Sequence, residues 1–456
     1  VYGRLIAAAL CAGLLALVAP AGAAAQGSYA PGEVLVSYGP RTPAQTRAAT
    51  ARMASAIDPT PSAPRMTVVH LARGVSVAAA LAALRHRPGV LWAVPDYIAK
   101  AAGGFIPNDE GYPGGKEGGW QELQWNFDGE FGVNAPEAWT NVAADGAPGG
   151  KDVVVAVLDT GVAYANRGPF RRSPDFYPDT FVKGYDFVAH NPYPNDRNGH
   201  GTFVAGTIAE ATDNHYGLTG LAYGARIMPV RVLDSQGEGN ASAIAEGIRF
   251  ATNHGARIIN MSLEFSADVS AGDIPELIEA IRYAHQRGVL LVAAAGNEGS
   301  KTIPYPARSR DVVAVGATTE HGCLADYSND GPGITLVAPG GGPDASLGGD
   351  PNCHPEAAPG RDIFQVTLGS SPRTFAIPGY YEGTSMAAPH VAATAALIIS
   401  SGVLGGHPSP AALTARLKDT ARRLGGGGDE YLYGAGLVNA AAATAPGGPG
   451  AVAASR

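Results

Sequence analysis

Charge is scarce in this 456-residue chain: Asp, Glu, Lys and Arg make up 16%, against 45% hydrophobic residues. A chain of that balance is globular over most of its length rather than disordered. The charge that is present leans acidic, a formal −8 at pH 7, with no cluster of Lys and Arg. That argues against a nucleic-acid partner. Cysteine is scarcer still, with Cys11, Cys323 and Cys353 the three in the chain. None lies in a catalytic motif, so a cysteine protease has no support. No HExxH motif or close His/Asp cluster is present, which weakens a metallohydrolase built on Asp159 and His200. No G-x-S-x-G surrounds Ser385, which removes an α/β-hydrolase esterase. Beyond the first twenty residues, no segment is long and apolar enough to span a bilayer.

Three motifs carry chemistry. Gly383-Thr384-Ser385-Met386-Ala387-Ala388-Pro389-His390 opens an apolar run from Val391 to Ile399, which reads as a buried helix. A serine at such an N-terminus meets free N–H groups and the positive end of the helix dipole. Val153 to Leu158 reads as a strand covered on both faces and ends in Asp159-Thr160-Gly161, and sites in open α/β sheets form at the carboxyl ends of strands. Asn198-Gly199-His200-Gly201 opens another small apolar helix. Singly, each is more often a turn, a loop histidine or a helix cap. Together, a carboxylate, an imidazole and a hydroxyl at the ends of buried elements are what nucleophilic acyl transfer requires. A further buried strand, Val289 to Ala294, ends in Ala295-Gly296-Asn297, and a side-chain amide there can donate to an oxyanion.

These motifs, in the order Asp, His, Ser, resemble those of the subtilisin-like serine peptidases, over roughly residues 103 to 445. The resemblance implies a catalytic triad of Asp159, His200 and Ser385, with Asn297 in the oxyanion hole. It implies an α/β fold with a doubly wound, mostly parallel sheet. The histidine motif departs once, with Phe203 where the family usually has a second histidine. Gly237-Glu238-Gly239 and Ser262-Leu263-Glu264 match the two segments that pair with an extended peptide, and Ala295 and Gly296 flank the oxyanion residue. Glu264-Phe265 stands where Gly-Gly is common. Glu264 then either narrows the cleft and, with Glu238, attracts basic side chains, or both glutamates point into solvent. Pro304 aligns with the floor of the primary pocket and implies an apolar preference there. Asp109, Asp175, Asp213 and Asn214 match a common calcium site, with hard oxygen ligands suited to Ca2+; the alternative is solvent-facing loop acids.

The N-terminus reads as a processing segment. Arg4, the apolar run Leu5 to Val18 and Ala23-Ala24-Ala25 fit a signal peptide over 1–25 and therefore secretion, extracellular or periplasmic. Residues 26–102 alternate strand and helix as a small α+β domain: strands over 33–38, 66–71 and 90–98, helices over 42–57 and 75–85. The family resemblance makes it a propeptide that blocks the active site until cut. Residues 103–445 are then the peptidase domain and 446–456 a disordered tail. With Cys11 removed, Cys323 and Cys353 are an even pair in an exported chain and are expected to form a disulfide. The reading is an endopeptidase made as an autoprocessed zymogen, a monomer acting on proteins and peptides, with no membrane association when mature.

Overall fold

The computed structural model describes residues 29–59, 65–72, 75–97, 105–425 and 429–446, and the chain divides into two units, Val1–Gly103 and Gly104–Arg456. The expected signal segment at 1–25 and the tail from 447 lie outside the described residues. Among the described residues no helix is long and apolar enough to cross a membrane.

In the first unit, β1 (Tyr29–Tyr38), α1 (Ala44–Met53), β2 (Ala54–Pro59), β3 (Met66–Leu71), α2 (Val77–Leu84) and β4 (Val90–Tyr97) follow in turn. The strands form an antiparallel sheet in the order β2-β3-β1-β4. Alternate residues Val34, Val36 and Tyr38 join Val69 and Ala93 on one face, against Ala80, Leu81 and Leu84 of α2. Ser76 caps α2, its Oγ accepting from Ala79 N at 3.2 Å, as an N-cap serine does. One expectation is corrected: the helix predicted over 42–57 stops at Met53, and Ala54 to Pro59 pairs with β3 as an edge strand. Helix-favouring composition loses to the hydrogen bonds that β3 offers. The edge position tolerates Pro59, which ends the strand without breaking a central ladder.

The second unit begins with the short helices α3 (Trp120–Leu123) and α4 (Trp125–Asp128), then α5 (Ala135–Ala144). Its strands are β5 (Val154–Asp159), β6 (Tyr185–Asp186), β7 (Arg226–Arg231), β8 (Ile258–Met261), β9 (Leu290–Ala294), β10 (Val312–Thr318) and β11 (Leu336–Pro339). They form one parallel sheet of seven strands, order β11-β10-β9-β8-β5-β7-β6. Between and after them lie α6 (His200–Ala209), α7 (Ala241–Asn253), α8 (Pro275–Gln286), α9 (Thr384–Ser401), α10 (Pro410–Asp419), α11 (Glu430–Tyr433) and α12 (Ala440–Thr444), with a small hairpin of β12 (Thr367–Leu368) and β13 (Phe375–Ala376).

The sheet is buried on both faces, as its unbroken apolar strands require. Val155 and Val157 of β5 face a core that holds α9, α6 and α5, while Ala156 and Leu158 face the core of α7 and α8. From β5 the chain builds β6 and β7 to one side, then returns to β8 on the other. That reversal opens a crevice at the carboxyl ends of the strands, where Asp159, Ser262 and Asn297 are found. Helix α9 is the densest element. All its residues from Met386 to Ile399 are buried, and its many alanines allow neighbouring backbones to approach.

Cys323 and Cys353 are joined by a disulfide that closes a loop of 30 residues. Closing a loop of that length restrains the unfolded chain by about 3–4 kcal/mol in the chain-entropy view. Replacing both cysteines by serine is expected to lower unfolding stability by up to about that amount, measured by denaturant titration. An unchanged midpoint would show that the loop is already ordered without the bond.

Candidate active site

Asp159 ends β5 with no exposed surface. Its Oδ1 accepts from Thr160 N at 2.7 Å and pairs with His200 Nδ1 at 2.8 Å. That contact makes Nδ1 the protonated nitrogen and leaves Nε2 as the acceptor. His200 opens α6, and the close start of that helix against the carboxylate needs a glycine. A Cβ at Gly201 would collide with Gly161 O and stand 3.0 Å from Asp159 Oδ1. Burial works to lower the His200 pKa, but the charge and hydrogen bond of Asp159, with the charge of Asp196 behind it, raise it above its usual 6.5.

Asp196 is a functional residue that the sequence reading missed. It is 1% exposed. Its Oδ1 accepts from Thr160 Oγ1, Asn198 N and Gly199 N at 2.9–3.0 Å, and its Oδ2 from Thr202 N and Thr202 Oγ1 at 3.0 and 2.6 Å. It thus ties the loop before His200 to the turn after Asp159. The available signal was an aspartate four residues before the histidine. Phe203 is fully buried and stacks on Tyr381, with ring centroids 4.2 Å apart and planes 9° apart. The departure from histidine therefore packs an aromatic pair beneath the site and leaves the His200–Asp159 contact intact.

Ser385 is the second residue of α9. Pro389 lies four residues on and has no N–H, so the helix leaves the Ser385 carbonyl without its usual donor. Ser262 Oγ supplies one at 2.8 Å, and Ser385 Oγ in turn approaches Ser262 O at 3.3 Å. Ser385 is thereby fastened to the end of β8. Among the described residues no hydrogen bond joins Ser385 to His200, although both line the same cleft; such bonds are often long before substrate binds. Asn297 Oδ1 accepts from Thr384 N at 2.8 Å and Thr384 Oγ1 at 3.0 Å. This network orients the amide and directs its Nδ2 donor away from Thr384.

A cleft of about 540 Å³ is lined by His200 and Ser385 together with Gly237, Glu238, Gly239, Ser262, Leu263 and Glu264. Ala295 and Gly296 are buried behind Asn297, and Pro304 is buried as well. Glu264 is half-buried, and its Oε2 has no hydrogen-bond donor in reach. Burial first, then the Glu298 carboxyl beside it, push its pKa up to about 7, offset in part by Asn297.

The four predicted metal ligands divide. Asp109 and Asp175 are fully buried. Asp109 accepts from Asp213 N at 2.8 Å, and Asp175 accepts from Asn214 Nδ2 and Leu218 N at 2.9 Å each. Asp213 corrects the expectation. Its left-handed φ of 64° turns the side chain outward, where it is exposed and accepts from Asn108 N at 3.2 Å. Glu210, unanticipated, lies near Asp175 with Oε1 buried and unpartnered. Among the described residues no group of three or more His, Cys, Asp and Glu converges as a metal cluster, so an ion here would draw on two aspartates, an amide and main-chain oxygens. Burial first, then nearby carboxylates, raise the Asp109 pKa to about 6 and lift Asp175 and Glu210 well above their usual range. Excess negative charge in a buried, oxygen-lined loop fits a hard divalent cation.

The model of the subtilase family matches residues 150–436, and that of the fervidolysin N-terminal prodomain matches residues 17–96. A thermophilic serine proteinase of Bacillus sp. (strain AK1) is 32% identical over 409 residues, 90% of this chain and 86% of that protein. Subtilisin Savinase of Lederbergia lenta is 39% identical over 298 residues, 65% of this chain and 91% of that protein. A solved protease from Pseudoalteromonas arctica PAMC 21717 superposes with a TM-score of 0.58 at 30% identity, covering 75% of this chain and 99% of that one.

Asp196 generates a prediction. If His200 acts as a general base it must be neutral to do so, and activity would then rise with pH through its pKa. Removing the Asp196 charge lowers that pKa, and in Asp196→Asn the acid limb of kcat/KM is expected to move to lower pH by on the order of half a unit. Turnover is also expected to fall as the loop loosens. A pH–rate profile checks both, and an acid limb that stays in place would remove Asp196 from the electrostatics of the site.

Proposed function

Because the chain belongs to the subtilase family and is a serine protease with an N-terminal prodomain, we propose that Asp159, His200 and Ser385 are its catalytic triad. The observation that carries this reading is the 2.8 Å contact between His200 Nδ1 and a fully buried Asp159 carboxylate, at the head of the cleft that Ser385 also lines. Ser385 Oγ attacks the peptide carbonyl while His200 Nε2 takes its proton. Asp159 holds the imidazole in the required tautomer and stabilises the imidazolium. The oxyanion is met by Asn297 Nδ2 and the Ser385 N–H at the start of α9, where the helix dipole adds a favourable field. Collapse expels the amine, protonated by His200, and water then hydrolyses the acyl-enzyme by the same steps. An extended substrate pairs its backbone with Gly237–Gly239 on one side and Ser262–Glu264 on the other.

The enzyme is read as a secreted endopeptidase acting as a monomer on proteins and peptides. Its signal segment is 1–25, and 26–102 is a propeptide that inhibits the domain at 103–445 until autoprocessing. Asp109, Asp175 and Asn214 would hold a structural calcium ion, whose charge would balance the buried carboxylates beside the 213–218 loop.

Two experiments test these statements. In the first, exported protein is treated with a fluorophosphonate probe and weighed intact. One adduct, absent in Ser385→Ala, with loss of the N-terminal segment through about residue 102, is the expected result. Full-length, unlabelled protein that stays unlabelled after brief external proteolysis would refute the enzyme reading. The second is thermal unfolding in calcium and in chelator. A free calcium level 100-fold above its dissociation constant adds about 2.7 kcal/mol, or roughly 5–10 °C in Tm, and Asp175→Ala should abolish the response. In chelator, carboxyls with raised folded pKa values cost stability as pH rises through about 4 to about 6 (the Asp109 value), because the folded state then binds more protons than the unfolded chain. Calcium should remove that dependence; a Tm indifferent to calcium would exclude the site.

A further inference from the structure

The side chain of the residue whose carbonyl Ser385 attacks must leave the backbone next to that carbonyl. Ser385 is clamped to Ser262 at the end of β8, and the oxyanion donor Asn297 stands at the end of β9. The side chain therefore enters between the segments that follow these adjacent strands. We propose that Glu264 and Glu298 form a paired-carboxyl subsite there, selecting a lysine or arginine as the residue whose carbonyl is attacked. The proposal rests on the serine-protease reading of the site.

Both carboxyls are held in place. Glu264 lies over Gly296: a Cβ on that glycine would collide with Glu264 Oε2 and stand 3.0 Å from Glu298 Oε2. Glu298 Oε2 accepts from Asn329 Nδ2 at 2.6 Å, and Asn329 Oδ1 accepts from Glu298 N at 3.1 Å and Ser300 N at 2.8 Å. Asn329 is fully buried and its own N–H donates to Gly296 O at 3.0 Å, so it fastens the Glu298 segment to the floor of the slot. Glu298 is itself exposed.

Among the described residues no cation pairs with Glu264 or Glu298. Glu298 is the ionisable group that faces Glu264, with Asn297 beside it. The neighbouring Lys301 is engaged by Asp330 at 2.8 Å, and Glu264 Oε2 has no donor at all. A guanidinium or ammonium group provides N–H donors to both carboxyls and displaces the proton that Glu264 takes up near neutral pH. An apolar side chain would instead cover Glu264 Oε2 without a partner, which is unfavourable. Glu238, exposed on the opposite segment of the cleft, adds a second attraction for basic peptides. This reverses the apolar preference expected from Pro304, which is buried.

The test uses matured full chain, its active sites counted with a fluorophosphonate, and peptide anilides that differ only in Arg, Lys or Leu before the scissile bond. Arg and Lys are expected to exceed Leu in kcat/KM by about tenfold or more at pH 8.5. The ratio should shrink several-fold at pH 6 as Glu264 takes up its proton; His200 titrates equally for all substrates and cancels. Glu264→Gln and, separately, Glu298→Gln should each reduce the ratio, and Glu264→Gly should favour Leu. Leu preferred by the wild type, or a ratio unmoved in a Glu264→Gln protein that still labels fully, would overturn the proposal. Absence of both labelling and hydrolysis in the wild type would instead refute the protease reading beneath it.

Discussion

The constraint on which the second unit depends is the burial of helix α9 from Met386 to Ile399. It touches β5, β8, β9, β10, β11, α5, α6, α10 and α12, so its position fixes, and is fixed by, most of the sheet. Burial on all sides requires small residues along its length, and Ala387, Ala388, Ala392, Ala393, Ala395 and Ala396 meet that need. A helix packed on every side cannot slide or roll without disturbing several close-packed contacts at once. Its first turn is therefore a rigid platform, and Ser385 stands on that turn. His390 extends the anchorage. Its Nδ1 donates to Met386 O at 2.9 Å and its Nε2 accepts from Asn126 Nδ2 at 2.8 Å. Both ring nitrogens are used in the neutral form, and burial holds the pKa down at about 4.

The two histidines show how environment divides one chemistry. His390 has no carboxylate beside it and stays neutral as a structural pin. His200 is also shielded, yet Asp159 and Asp196 compensate, and its proton affinity rises. The carboxylates divide in the same way. Asp159 receives its stabilisation from Thr160 N and the imidazole. Asp109, Asp175 and Glu210 crowd one another in a buried loop and so favour a cation. Glu264 faces a like charge at the edge of the cleft. Each group's neighbours, more than its residue type, decide what it can do.

Much of this was legible in the sequence. The unbroken apolar runs at Val153–Leu158 and Val289–Ala294 became the strands Val154–Asp159 and Leu290–Ala294. Periodicity and run length are local properties, and the sheet's burial on both faces leaves them intact. The chemistry-bearing ends of these elements were legible for the same reason. The misses came where partners are distant in sequence. Ala54–Pro59 composes like the end of a helix, and only the proximity of β3 makes it a strand. Asp213 fits a ligand pattern, but its left-handed backbone turns it away. Asp196 acts through hydrogen bonds to residues that no local pattern joins to it, and although Ser262 was assigned to the cleft, its bond to Ser385 was not legible.

Pro389 and Gly296 show why such contacts escape local reading although the residues themselves are plain to see. A proline six residues into a helix reads as a defect. Here it frees one carbonyl, and Ser262, 123 positions earlier, occupies it. The missing hydrogen bond within α9 thus becomes the bond that locates Ser385 against the end of β8. Gly296 reads as a turn residue, yet its absent side chain leaves the space that Glu264 fills. In both cases an absence in one segment is matched by a side chain from another. The precision of the site is therefore a property of how β8, β9 and α9 meet. A substitution at Ser262 or Gly296 would act on the nucleophile or the pocket without altering either of the residues that perform the chemistry there.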